Sequence, residues 1–149
     1  MDNKDKQILE ILQIEGRISN VKLAEKIDLT PPATLERVKK LEESGYITGY
    51  SAEVDSGKLD YRVPVLIAVT LVKHEKEEIE NFMNFMKNCP EIVGYYHVTG
   101  IYDYILKVQK RDIKDLQDFL INRLTGLKGI DKAETFLILE EYSSPVPIS

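Results

Sequence analysis

Residues 16–50 read GRISNVKLAEKIDLTPPATLERVKKLEESGYITGY, and the start and stop signals within them decide the fold of the N-terminal third. Thr30 offers its hydroxyl to the free N–H groups of a helix that begins at Pro31, where a missing N–H costs nothing and the ring already sets φ. Leu35, Val38 and Leu41 fall on one face, Ala33, Glu36, Arg37 and Lys40 on the other, and Ser44-Gly45 supplies a glycine stop. Working backwards, Ser19 caps a shorter helix running to about Ile27, with Val21, Leu23, Ala24 and Ile27 on or near its buried side. Before it, Ile8, Leu9, Ile11, Leu12 and Ile14 recur at helical spacing between Asp5 and Glu15, and Gly16 ends the pattern. Three short helices with a tight second turn and a basic third helix form the frame that inserts a helix into the DNA major groove.

Working forwards, Tyr46 to Val54 is rich in β-formers and predicts a strand, followed by the polar hinge DSGKLDYR at 55–62. Val65 to Val72 is a strand-length apolar run, Glu75 to Asn88 an amphipathic helix closed by Pro90, and Ile92 to Thr99 and Tyr104 to Gln109 two strands around the Thr99-Gly100 turn. Leu116, Phe119, Leu120 and Leu124 mark a further helix, and Ala133 to Leu139 a last strand. The order βαββαβ predicts an antiparallel sheet with both helices on one face, a ferredoxin-like arrangement. The expected class is therefore α+β: a winged helix-turn-helix at 1–50, a hinge strand and linker at 51–64, and a ferredoxin-like domain at 65–149.

Composition sets bounds on function. With 43% hydrophobic and 30% charged residues, the 149-residue chain is of globular type. No apolar run approaches the roughly 20 residues that span a bilayer, and the polar start MDNKDKQ is unlike a secretory signal, so a cytoplasmic location without membrane contact is expected. The one cysteine, Cys89, has no intrachain partner and reads as a small hydrophobe. His97 and His74 have no neighbours at ligand spacing, so neither a metal nor a cofactor is expected. The net charge of -5 argues against nucleic acid, and Met1 to Tyr50 carries eight Lys/Arg against nine Asp/Glu. A DNA-binding reading must rest on where the cations point.

The wording of residues 16–50 resembles the helix-turn-helix of the Lrp/AsnC (feast/famine) family almost position by position. PEIVGYYHVTGIYDYILKV at 90–108 and LINRLTGLKGIDKAETFLILEE at 120–141 resemble that family's effector domain, so the likeness covers nearly the whole chain. The resemblance implies a transcriptional regulator that forms homodimers, often octamers, on pseudo-palindromic promoter DNA, and whose assembly or affinity changes when a small molecule, commonly an amino acid, binds. Arg37 and Lys40 would then reach base edges or phosphates, with Thr30, Pro32 and Thr34 near the groove. Glu36 stands where relatives often carry a base, and either accepts from cytosine N4 or is merely solvated. Arg17, Ser19, Asn20 and Lys22 surround the N-terminus of the second helix, whose free N–H groups suit a phosphate.

In the second half, Val98, Thr99, Gly100, Ile101, Tyr102, Asp103 and Tyr104 resemble the glycine turn that lies at family interfaces and helps to form the effector pocket. Asp103 would neutralise an ammonium group, Gly100 would let backbone N–H groups approach a carboxylate, and Thr135 would add a hydroxyl. Equally, the turn's Asp and Tyr serve folding or dimer contacts. Ile101 replaces the acidic residue many relatives carry after the glycine, which favours an apolar effector side chain. Tyr95-Tyr96 and Tyr102 with Tyr104 read as a sheet face or interface. The rival from another class is a siroheme-decarboxylase-like enzyme on the same scaffold, but no acid–base pair or phosphate-binding glycine loop is visible.

Overall fold

A computed structural model describes residues 1–72 and 76–149, so His74 and Glu75, the expected first residue of the amphipathic helix, lie outside the described residues. The chain divides into two compact units, Met1–Glu53 together with Tyr142–Ser149, and Val54–Glu141. The last eight residues, expected with the sheet, thus group with the helices.

The first unit holds α1 (Asn3–Ile14), α2 (Asn20–Lys26) and α3 (Pro31–Glu43). Each begins on a side-chain cap: Asp2 accepts from the Asp5 N–H, Ser19 from Lys22 and Thr30 from Ala33, which satisfies donors that the first turn leaves unpaired. Gly45, at φ 76, ends α3 in the left-handed conformation, and the Ile47 N–H returns to the Leu41 carbonyl. Ile8, Leu9, Leu23, Ile27 and Leu41 form the buried cluster. The buried side of α3 is rotated from the one expected: Thr34 is 0% exposed and Leu35 44%, because Thr34 follows Leu41 and Val38 down the face by steps of three and four. Tyr46 to Val54, expected as a strand, pairs with no strand among the described residues. A strand gains its hydrogen bonds only from a neighbour, whatever its β-propensity.

The second unit opens with a 3-10 turn at Ser56–Leu59, whose free N–H groups the Asp55 carboxylate accepts. There follow β1 (Val63–Leu71), α4 (Lys76–Asn88), β2 (Ile92–His97), β3 (Tyr104–Lys110), α5 (Ile113–Asp118) and β4 (Ile130–Leu137). The sheet is antiparallel in the order β2-β3-β1-β4, the ferredoxin-like topology. Beyond α5 the chain winds wider through Phe119–Leu124, a π-turn that buries both end residues. Alternation sorts the strands. Val65, Ile67, Val69, Leu106 and Val108 face Phe82 and Met86 of α4 and Leu116 of α5 in one core. Leu66, Ala68 and Ile105 point to the other face of the sheet. Lys110, a buried cation, is held by Asp115 at 2.9 Å and Glu91 at 3.5 Å, with the Phe119 ring 5.1 Å away.

Candidate functional site

On α3 the sequence-expected residues separate into two groups. Thr30, Pro32, Glu36 and Lys40 are exposed, as are Arg17, Ser19 and Lys22 about the start of α2. Three others are engaged inside the fold. Thr34, expected near the groove, is a core residue whose hydroxyl donates to the Thr30 carbonyl at 3.0 Å. The Asn20 amide donates to the Pro31 carbonyl at 2.8 Å and so fastens the N-terminus of α2 to that of α3.

Arg37, expected to point outward, is clasped by two carboxylates at the start of α1: its Nη1 lies 2.7 Å from Asp2 Oδ2 and 2.7 Å from Asp5 Oδ1. Asp2 and Asp5 also exchange hydrogen bonds with each other's N–H groups, at 2.9 and 3.0 Å, so the cap of α1 and the clasp are one structure. Hydrogen bonds to Asp2 and then Asp5 raise the Arg37 pKa, while the Asp5 N–H and then Arg37 lower that of Asp2. Asp2 and Asp5 were not among the residues singled out from the sequence. An acid at N-cap and another three residues later was the available signal.

The glycine turn is tied to its own sheet. Val98 N–H donates to the Asp103 carbonyl at 3.0 Å, Asp103 N–H to Val69 at 2.9 Å, and Leu71 N–H to the Asp103 carboxylate at 2.7 Å. Gly100 sits at φ 121, a conformation that side chains disfavour, while Thr99 is exposed and Ile101 80% so. Tyr104, expected with the effector residues, is buried: its ring stacks on His97 at 4.7 Å and meets Phe82 edge-on at 5.2 Å, and burial raises its pKa. Tyr102 donates to Glu134 at 2.5 Å, and Lys132 pairs with the same carboxylate. Those bonds lower the Glu134 pKa, the Lys132 contact first, and the hydrogen bond to Glu134 raises that of Tyr102. Thr135, next to Glu134 on β4, falls on the opposite face by alternation, so the turn meets Glu134 where Thr135 was expected. Glu134 and Lys132, two apart on one strand, are the residues that sequence reasoning missed here.

Two family models match the chain: winged helix-turn-helix DNA-binding over residues 1–48, and the Lrp/AsnC ligand binding domain over residues 64–148. The leucine-responsive regulatory protein of Escherichia coli K12 is 35% identical over 141 residues, which cover 95% of this chain and 86% of that one. The chain belongs to the Lrp/AsnC family. Among solved structures, a transcriptional regulator from Neisseria meningitidis in complex with L-Met superposes with a TM-score of 0.94 at 28% identity, covering 99% of this chain and 96% of that one. E. coli AsnC gives a TM-score of 0.83 at 29% identity, covering 100% of this chain and 97% of its own. This Lrp/AsnC chain is accordingly a DNA-binding regulator with a ligand-binding domain, and its relatives are named as regulators and not as enzymes. No helix among the described residues is long and apolar enough to cross a membrane.

Proposed function

We propose that the protein binds pseudo-palindromic promoter DNA as a homodimer, or a larger even assembly, and that an amino acid bound beside the Gly100 turn alters that binding. The observation that carries the DNA half is the capped α3, which leaves Pro32, Glu36 and Lys40 exposed on one side while Val38 and Leu41 face the core. Lys40 takes the leading place in contacting DNA, and Arg17, Ser19 and Lys22 offer a phosphate the start of α2. Arg37 orients α3 through Asp2 and Asp5, and meets a phosphate only if the phosphate displaces those carboxylates.

Pairing is supported by the sheet face that α4 and α5 leave uncovered, where Leu66, Ile105, Tyr96 and Phe136 collect. A second copy of the same apolar face is its natural complement, and paired half-sites double the contacts of an acidic chain. The effector half is supported by Asp103 and Glu134 at the turn, carboxylates able to hold an ammonium group, with the exposed Ile101 beside them. The L-Met complex of the Neisseria relative makes an amino acid a sound first class to test.

The test joins three measurements: light scattering, retention of genomic fragments with each of the twenty amino acids, and calorimetry on wild type and Asp103→Asn. Expected are a mass at least twice 17.1 kDa, retained fragments sharing a two-fold symmetric site, and an effector that binds the variant about tenfold more weakly, or ~1.4 kcal/mol. A monomer at micromolar concentration overturns the assembly, indiscriminate retention overturns sequence reading, and an unaltered Asp103→Asn overturns the sensor chemistry.

A further inference from the structure

The helix-turn-helix unit is completed by a peptide from the far end of the chain. Gln13 of α1 holds Val146 by both of its main-chain groups: its Nε2 donates to the Val146 carbonyl at 3.0 Å, and its Oε1 accepts from the Val146 N–H at 2.7 Å. Two residues on, Ile148 packs against the buried cluster of the unit. With the segment in place a cleft of about 570 Å³ remains beside it, walled by α1 residues Leu9 and Leu12, by Ile47 and its neighbours, and by residues 146–149 of the segment itself.

A glutamine amide offers a C=O acceptor and an N–H donor, the two groups a backbone residue offers its cross-strand partner, so this reciprocal contact is equivalent to one rung of an antiparallel ladder. It reads extended backbone whatever the side chain, and an apolar seat for a residue two positions on supplies selectivity. The segment reads SSPVPIS at 143–149. Pro145 and Pro147 fix φ and bias Ser144 and Val146 towards extended backbone, which lowers the entropy lost on docking. Because neither proline carries an N–H, Val146 has the one main-chain donor of that tripeptide, and it is the donor Gln13 takes.

We propose that the face made by α1 and residues 46–50 is a peptide-docking groove, and that its occupant is this chain's own C-terminal segment Tyr142–Ser149. The groove reads a proline-flanked extended backbone through Gln13 and an aliphatic side chain through the seat of Ile148. It lies on the helix whose other end carries Asp2 and Asp5, so the segment steadies the element that holds Arg37. None of this depends on what α3 binds.

Amide exchange on the full chain tests it. In wild type the Val146 N–H is protected; in Gln13→Ala it exchanges at least tenfold faster, and Gln13→Glu, which keeps the acceptor for that N–H but turns a second oxygen instead of a donor towards the Val146 carbonyl, restores only part of the protection. Ile148→Asp should expel the segment, and a fluorescent YSSPVPIS peptide should then bind this full-length variant saturably, with about tenfold lower affinity once Gln13→Ala is added. A Val146 N–H that is unprotected in wild type, or equally protected in Gln13→Ala, overturns the docking. So does a peptide that ignores the folded Ile148→Asp protein; if that variant fails to fold, the exchange measurements decide alone.

Discussion

In the helical unit the buried hydrophobic cluster contains Ile8, Leu9, Leu23, Ile27 and Leu41, whereas in the sheet unit fourteen residues, from Val63 to Leu124, play that part among the described residues. A small unit buries a smaller share of its surface, and hydrophobic burial alone leaves it marginal. The helices are correspondingly stitched with polar contacts: two side-chain caps, the Asn20–Pro31 bond, the Arg37 clasp and the Gln13–Val146 pair. Polar residues near a sparse core are thus drawn into holding the fold, whereas Glu36 and Lys40, proposed to face DNA, are exposed and have no side-chain ion pair among the described residues.

The largest effect should separate the two cores. Leu23→Ala and Leu106→Ala each remove a nearly fully buried leucine and should cost about 2–5 kcal/mol. That loss is comparable to the whole stability of a small unit, so Leu23→Ala should abolish amide protection across α1 to α3, while Leu106→Ala leaves β1 and β3 protected although weakened. Equal survival of both units would break the contrast.

A smaller effect distinguishes stitching from recognition on α3. Lys40→Ala should weaken all promoter sequences similarly and reduce the salt slope of log K by about 0.9, without changing thermal stability. Arg37→Ala strands two carboxylates and should lower the melting temperature as well as the affinity. Titrations at two ionic strengths with parallel melting curves check both; the opposite assignment would make Arg37 the reader and Lys40 a support.

The smallest effect is the pH response of the clasp. The Asp2 pKa is lowered from its ordinary 3.8, so its contribution is complete above that value and disappears as pH falls through the lowered one. Between pH 5 and 8 the clasp should therefore be unchanged, and carbon-detected NMR of the Asp2 carboxyl should show its titration displaced to the acid side. A midpoint at the ordinary value would mean that Arg37 is not held in solution.

Much of the architecture was legible because it rests on local chemistry. Thr30-Pro31 and Ser44-Gly45 bracket α3 as expected, and the apolar run Val65 to Val72 and the segment Tyr104 to Gln109 mark two strands that pair. The strand expected at Tyr46 to Val54 failed because propensity does not supply a neighbour. Helical spacing could not tell whether Leu35 or Thr34 faced inward, a difference of one residue that moved Thr34 from the groove to the core.

The sequence by itself determined the capped starts of α2 and α3, the stop of α3, the βαββαβ order and the family likeness, since caps, glycine stops and hydrophobic periods act within a few residues. Only the tertiary structure decided the partners: Asp2 and Asp5 for Arg37, Glu134 for Tyr102, and Val146 for Gln13. These pairs join residues 32 to 133 positions apart, and a side chain carries no local mark of a distant group of opposite charge or complementary hydrogen bonding until folding brings the two within reach.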